Sequence, residues 1–205
     1  MPKNKTFDFL LSSKNNNIGN KGFTLAEVLM VIVIMLFLFP MVLTNYNAGD
    51  KQFSLYRSAH DLAQDLRGAQ EMAMTGKATP VQFGDDENFP AGGYGLFFED
   101  YRNSYILFAD CDGDNEYDAS GVVATKCSEA TPANPYPEKI KEIFLESGVI
   151  ISSLIPSSPL TIVFFPPIPR ITINQSSNKE AVINLELGGK SKIVTINTAG
   201  LIDVD

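Results

Sequence analysis

The chain has 205 residues, a formal net charge of −8 and 44% hydrophobic residues, so it can bury a core and is not globally disordered. Charge is uneven: residues 1–22 carry a net of +3 and the remaining residues a net of −11. The acidic main part argues against nucleic acid as a partner, because phosphate binding requires clustered Lys and Arg. The length allows one domain of ordinary size, or one small domain with an appendage.

Two segments open the chain, a basic leader and an apolar stretch of membrane length. Residues 1–22 are rich in Lys, Asn and Ser and predict a flexible leader. Residues 23–43 contain no charged or polar side chain from Val28 onward. As a helix this stretch would be about 31 Å long, which matches a hydrocarbon core of about 30 Å. A buried core helix is the alternative, although such a helix is usually shorter or keeps a polar stripe.

The charge order predicts the topology. A basic segment before a membrane span stays on the cytoplasmic side, so the later residues are exported. We therefore expect a single-pass cytoplasmic (inner) membrane protein whose C-terminal domain is extracytoplasmic. No small-residue cleavage pair of the A-x-A type follows the apolar stretch, which argues against an ordinary secretory signal.

Residues 44–78 predict an amphipathic half-helix that continues the apolar one. Apolar residues recur at spacings of three and four on one face, at Leu55, Ala59, Leu62, Leu66, Ala69 and Ala73. Gly76, with Pro80 just beyond it, favours a helix end at this point. One helix from about residue 24 to residue 75 is expected, and its second half must pack against the rest of the chain.

Residues 79–205 predict a β-rich globular domain. Strands are expected at 94–98, 105–108, 140–145, 148–154, 160–165, 171–174, 181–187, 193–197 and 201–204. Gly188 and Gly189 indicate a hairpin between two of them. The expected fold is α+β: one long N-terminal α-helix, apolar and then amphipathic, packed on a C-terminal antiparallel β-sheet.

A short motif carries a family resemblance. Residues 21–27 read KGFTLAE and resemble the processing motif of type IV prepilins, which occurs in pilins and in type II secretion pseudopilins. The resemblance implies a pilin-like fold, cleavage by a prepilin peptidase after Gly22, N-methylation of Phe23 and an assembly role for Glu27. The implied partners are the peptidase and methylase, other pilin or pseudopilin subunits, an inner-membrane assembly platform and membrane lipid.

Two further stretches are similar to the minor branch of this family. They are the half-helix at 59–70 and the closing segment at 192–200. The resemblance favours a minor pilin or pseudopilin, a structural subunit of a type IV pilus, competence filament or type II secretion pseudopilus.

Glu27 raises a physical question, because a carboxylate near the centre of a bilayer costs about 3 kcal/mol. Residues 23 and 27 are one helical turn apart and face the same way. We expect Glu27 to pair, in a filament, with the amine that cleavage creates on Phe23 of its own or a neighbouring chain. The alternative is that Glu27 extends to the membrane interface.

An acidic loop is a candidate calcium site. Five carboxylates alternate along it, at Asp110, Asp112, Asp114, Glu116 and Asp118. Calcium prefers six to eight oxygen ligands, and the spacing resembles the first nine positions of an EF-hand or dockerin-type loop. Asn115 replaces the usual glycine, and Gly121 stands where a bidentate acid is expected. No cofactor is required, and the alternative is a solvated acidic turn.

The two cysteines, Cys111 and Cys127, predict one disulfide in an exported chain. Closing the loop between them would stabilise the fold by about 3 kcal/mol. Two buried free thiols are the alternative.

The sequence predicts no enzyme. The single histidine, His60, lies on the amphipathic helix without a nearby nucleophile. Two other functions stay open. One is a membrane-anchored extracellular binding or adhesion domain that does not polymerise. The other is a DNA-uptake pilin, for which only Lys190 and Lys192 cluster.

Overall fold

In a computed structural model, the described residues are 22–80, 83, 88–119, 124–166, 170–175 and 180–205, without the side chains of 42–49. The expected leader, apart from Gly22, lies outside these residues, and so does Gly121. The chain divides into two compact units, Met1–Thr44 and Asn45–Asp205.

Helix α1 spans Leu25–Met74 and has different surroundings in the two units. In the first unit its large apolar side chains between residues 25 and 41 are 48–79% exposed. No helix among the described residues is both long enough and apolar enough to cross a membrane. In the second unit, residues 50–74 bury one face, made by Leu55, Ala59, Leu62, Ala63, Leu66, Ala69 and Ala73.

Nine strands are seen in the described part of the second unit, and they form two antiparallel sheets. The strands are β1 (Gly93–Phe98), β2 (Ser104–Asp110), β3 (Lys139–Phe144), β4 (Ile150–Ile155), β5 (Leu160–Phe165), β6 (Arg170–Ile173), β7 (Glu180–Leu187), β8 (Lys190–Asn197) and β9 (Ile202–Val204). The first sheet has the order β3-β2-β1-β5-β6 and the second has the order β4-β7-β8-β9.

Every second side chain of the strands faces the hydrophobic core. In β7 the side chains of Ala181, Ile183 and Leu185 are fully buried, while the residues between them are partly exposed. This is the two-residue period of a sheet with one covered face. The buried residues of both sheets and of the helical face form a single hydrophobic cluster.

The β7–β8 hairpin has the predicted glycine turn. Leu187 pairs with Lys190, and the two residues between them, Gly188 and Gly189, have φ values of 60° and 79°. Two successive positive φ values are the conformation of a type I′ turn, which favours glycine.

The expected fold, one long helix packed on a single antiparallel sheet, is wrong. Helix α1 runs from Leu25 to Met74, but its described side chains fall into two parts, 25–41 and 50–74, which belong to different units, and of these only the second part buries a face. The strands form two sheets, so the architecture is mostly β. Each predicted strand overlaps an observed one, but alternation identifies strands without identifying their partners. After β3 the chain leaves the first sheet, and β4 pairs with the distant β7.

Candidate functional site

The predicted processing junction is accessible. Gly22 and Phe23 are exposed and precede the first residue of α1, and the Phe23 side chain is 87% exposed. The backbone around the junction is not helical, so its peptide bond is not shielded by helical hydrogen bonds. A protease that acts after Gly22 would need such an accessible segment.

Glu27 has a local partner that the sequence reasoning missed. The Thr24 backbone N–H and hydroxyl donate to Glu27 Oε2 at 3.1 and 3.0 Å, and the Glu27 N–H donates to Thr24 Oγ1 at 3.2 Å. This reciprocal pair is a capping box, which satisfies free N–H groups at a helix start. The threonine-x-x-glutamate spacing was the signal that could have revealed it.

The acidic loop begins at the end of β2 and folds around Asp110. The Asp110 carboxylate accepts N–H groups from Gly113 at 2.7 Å and from Asn115 at 3.0 Å. Both donors have positive φ values, 79° and 65°, which bend the backbone around the carboxylate. Glycine and asparagine accept this conformation more readily than other residues.

Later carboxylates accept backbone N–H groups of the same loop. Asp112 Oδ1 accepts from Asp114 at 3.2 Å, and Asp114 Oδ1 accepts from Glu116 at 2.7 Å. These two-residue contacts are Asx turns, which hold the loop in a tight curve. The local geometry is therefore set by the acidic residues themselves.

Glu138, which the sequence reasoning missed, completes the carboxylate cluster from the buried side of the loop. It immediately precedes β3 and is 1% exposed. Its two carboxylate oxygens accept N–H groups from Cys111 at 2.7 Å and from Asp118 at 3.1 Å. No local motif marks this residue, because it reaches the loop only through the pairing of β3 with β2.

The structure brings five of the six carboxylates into two overlapping groups. One group contains Asp110, Asp112 and Glu138, and the other contains Asp112, Asp114 and Asp118. Within each group one oxygen from every residue lies within 4.8 Å of the others. Asp112 belongs to both groups, whereas Glu116, which the sequence predicted as a ligand, belongs to neither.

Burial makes negative charge costly here. Removal from water raises the pKa of the Asp110 carboxyl to about 7 and that of Glu138 to about 9, even though backbone N–H groups act in the opposite direction. Burial also raises the pKa values of Asp112 and Asp118. The crowded carboxyls therefore favour either a bound proton or a cation.

The donor set fits a hard divalent cation. Asp112 Oδ2 is buried without a hydrogen-bond partner, although buried polar atoms are usually satisfied. Calcium binds carboxylate oxygens in flexible geometries, so Asp112 and either of its two neighbour pairs could hold it. A disulfide between Cys111 and Cys127 anchors the loop at the same place, and both cysteines are buried.

No protein-family model, curated protein or solved structure matches this chain.

Proposed function

We propose that the protein is a minor pilin or pseudopilin, a structural subunit that a prepilin peptidase cuts after Gly22. It would then assemble with related subunits into a type IV pilus, competence filament or type II secretion pseudopilus. The observation that carries the proposal is the KGFTLAE motif at an exposed, non-helical junction directly before α1.

The apolar residues after the junction support this function. The large apolar side chains between residues 25 and 41 are 48–79% exposed, and contiguous surfaces of this kind usually mark an interaction site. Membrane lipid would cover residues 23–43 before assembly, and the apolar helices of other subunits would cover them afterwards. The C-terminal domain would be extracytoplasmic, and an inner-membrane assembly platform would extract the subunit.

Glu27 would change partners during this process. In the uncut chain its carboxylate accepts the two donors of Thr24. Cleavage would create a positively charged amine on Phe23, one helical turn away. A charged donor forms a stronger hydrogen bond with a carboxylate than a neutral hydroxyl does. The pairing of Glu27 with this amine, within or between chains, would favour the assembled state.

The test is expression of the full chain with and without a prepilin peptidase, followed by mass spectrometry of its N-terminus. We expect a mature chain that begins with N-methylated Phe23. Gly22→Val should remain uncut. Glu27→Gln should be cut but absent from sheared filaments, while Thr24→Ala, which keeps the carboxylate, should enter them.

These variants also distinguish the alternatives. A junction that stays uncut in the wild-type chain would favour a membrane-anchored binding or adhesion domain that does not polymerise. Normal filament entry by Glu27→Gln would disprove the assembly role of this residue. A DNA-uptake pilin would retard duplex DNA in a salt-dependent gel shift, which the net of −11 after residue 22 argues against.

A second function concerns the acidic loop, which we propose as a calcium site outside the cell. The unpaired, buried Asp112 Oδ2 favours a cation over a solvated turn. Calorimetry of the full chain in detergent should show heat on addition of calcium and much less on addition of magnesium, which prefers stricter octahedral geometry. The absence of any calcium heat would exclude the site.

A further inference from the structure

Beside the first helical residues of the second unit lies a surface that combines three lysines and two exposed aromatic rings. We call it the lysine–aromatic patch, and its members are Lys51, Phe53, Tyr56, Lys190 and Lys192. Phe53 is 73% exposed and Tyr56 is 40% exposed, and together with Gln52 and His60 they line a shallow cavity of about 530 Å³. The surface is apolar at its centre and positively charged at its side.

Two lysines of the β7–β8 hairpin contact the helix at the edge of the core. Lys190 Nζ donates to Gln52 Oε1 at 3.1 Å, and Lys192 Nζ lies 4.3 Å from the centre of the Tyr56 ring. A cation over an aromatic ring is attracted by the ring's negative face. Lys51 Nζ comes within 3.7 Å of the position that a side-chain carbon would take at Gly188. The three ammonium groups therefore converge around the hairpin turn.

The two acidic residues nearest to these lysines in the chain, Asp50 and Glu186, offset only part of this charge. Lys190 pairs with Leu187 and Lys192 with Leu185, whereas Glu186 pairs with Ser191. Paired residues share a face of the sheet and successive residues alternate, so Glu186 lies on the opposite face from both lysines. Asp50 adjoins Lys51 in the chain and offsets one charge. A local positive surface thus remains on a chain with a net charge of −8.

We infer that the lysine–aromatic patch docks on the anionic headgroups of a membrane. Lysines attract anionic lipid, and the Tyr56 ring beside them has the mixed apolar and polar character of the headgroup layer. The exposed Phe53 ring adds apolar surface next to them. Lys51 is eight residues beyond Leu43, the end of the apolar stretch, and eight residues span at most about 28 Å. A membrane that holds the apolar stretch therefore keeps the patch within reach. This inference rests on the membrane stage of the proposed function.

The test uses the uncut full chain in nanodiscs of zwitterionic lipid and in nanodiscs that also contain anionic phosphatidylglycerol. Acetylation rates of single lysines are followed by mass spectrometry. Lys51, Lys190 and Lys192 should react several-fold more slowly in the anionic discs, and high salt should remove the difference because it screens exposed charges. Lys77 and Lys126, exposed lysines elsewhere, should react equally in both lipids.

A double variant provides a second test of the same inference. In Lys190→Gln/Lys192→Gln the lipid dependence of Lys51 labelling should disappear. Each lysine near an anionic membrane raises the affinity of a protein surface for that membrane by about five-fold, and this variant loses two of the three lysines. The matched control, Lys77→Gln/Lys126→Gln, should keep the wild-type pattern. Both pairs change exposed or half-exposed side chains, so the fold should be retained.

The outcomes separate the possibilities. Equal labelling in both lipids would overturn the inference and leave the proposed function intact. Protection that grows with the number of chains per disc, whatever the lipid charge, would assign the patch to a second copy and also overturn it. Failure of the chain to enter discs of either lipid would overturn the membrane stage as well. Peptidase cleavage is not needed for any of these readings.

Discussion

Asp112 connects the two carboxylate groups of the acidic loop, and one of its oxygens is buried without a partner. In Asp112→Asn the amide oxygen can still accept the Asp114 N–H, and the new NH₂ group can donate to a neighbouring carboxylate. One negative charge is also removed. Without calcium we expect the variant to be more stable by about 1 kcal/mol, a typical net value for a gained hydrogen bond. This corresponds to a rise in Tm of about 2–4 °C.

The same variant should lose most of the stabilisation that calcium gives the wild-type chain, as measured by Tm in calcium and in EGTA. Glu116→Gln is the matched control, because Glu116 lies outside both groups and should change neither value by much. If Asp112→Asn responded to calcium as strongly as the wild-type chain, Asp112 would not be a ligand.

The raised pKa values of Asp110 and Glu138 predict how the stability of the metal-free protein depends on pH. Burial raises the folded-state pKa of Asp110 from 3.8 to about 7 and that of Glu138 from 4.5 to about 9. In the unfolded chain both groups lose their protons near pH 4. Between pH 4 and the folded-state pKa of each group, the folded state therefore holds more protons than the unfolded state. Stability from these groups is therefore complete below about pH 4 and falls as the pH rises towards 9.

One pKa unit corresponds to about 1.4 kcal/mol, so even half of the Asp110 shift would cost about 2 kcal/mol. In EGTA we expect Tm to be about 4–8 °C higher at pH 5 than at pH 8. Calcium at pH 8 should recover much of the difference, since a cation replaces the protons. A Tm in EGTA that rises between pH 5 and pH 8 would contradict the assignment of raised pKa values.

Among the residues of the candidate site, the sequence alone predicted those that lie close together in the chain. The alternating acids from Asp110 to Asp118 could be read directly, and four of them do converge. Glu138 could not be found, because its approach depends on the register between β2 and β3. The Thr24–Glu27 contact is local and follows from the threonine-x-x-glutamate spacing, whereas the sequence prediction paired Glu27 with the Phe23 amine.

At the scale of elements, alanine substitutions at two glycines test how closely α1 and β1 approach their neighbours. Gly68 lies within α1, and a side-chain carbon added there would meet no atom within 4 Å. Glycine in a helix costs about 1 kcal/mol relative to alanine, chiefly through backbone entropy. Gly68→Ala should therefore raise the free energy of unfolding by about 0.5–1 kcal/mol, measured by urea denaturation.

Gly95 in β1 supplies the contrasting substitution. A carbon added there would lie 2.6 Å from the Phe108 ring and 2.8 Å from the Ile162 carbonyl oxygen. Gly95→Ala should lower the free energy of unfolding by about 1–3 kcal/mol, the usual cost of overpacking a core. If Gly95→Ala did not lower the free energy of unfolding, the close approach of β1 to its neighbours would be wrong.

The sequence predicted elements better than their arrangement. Alternation and turn residues located the strands, including the Gly188–Gly189 hairpin, because these signals lie within a few residues. They did not show that β4 joins β7, whose register includes Leu154 with Ile183. Such pairing is set by a shared core between distant segments. The helical period, by contrast, did predict the buried face of the later part of α1, because its spacings of three and four lie within a few turns of one helix.

At the scale of the whole molecule, the division at Thr44 and Asn45 makes a thermodynamic prediction. The buried residues of the hydrophobic cluster run from Leu55 to Ile202, all in the second unit. The disulfide lies there too. A chain that begins at Asn45 removes none of these contacts. We expect it to unfold in one cooperative transition, with a Tm within about 2 °C of the same transition in the full chain in mild detergent.

A second truncation, beginning at Ala63, is the matched control. It deletes Leu55, Ala59 and Leu62 from the buried helical face, and the loss of a single buried Leu already costs about 2–5 kcal/mol. This chain should therefore lose cooperative unfolding. If the chain beginning at Asn45 also lost it, the second unit would depend on residues before position 45 for its stability. Equal transitions in the full chain and the Asn45 chain would mean that residues 1–44 contribute nothing measurable to the stability of the second unit.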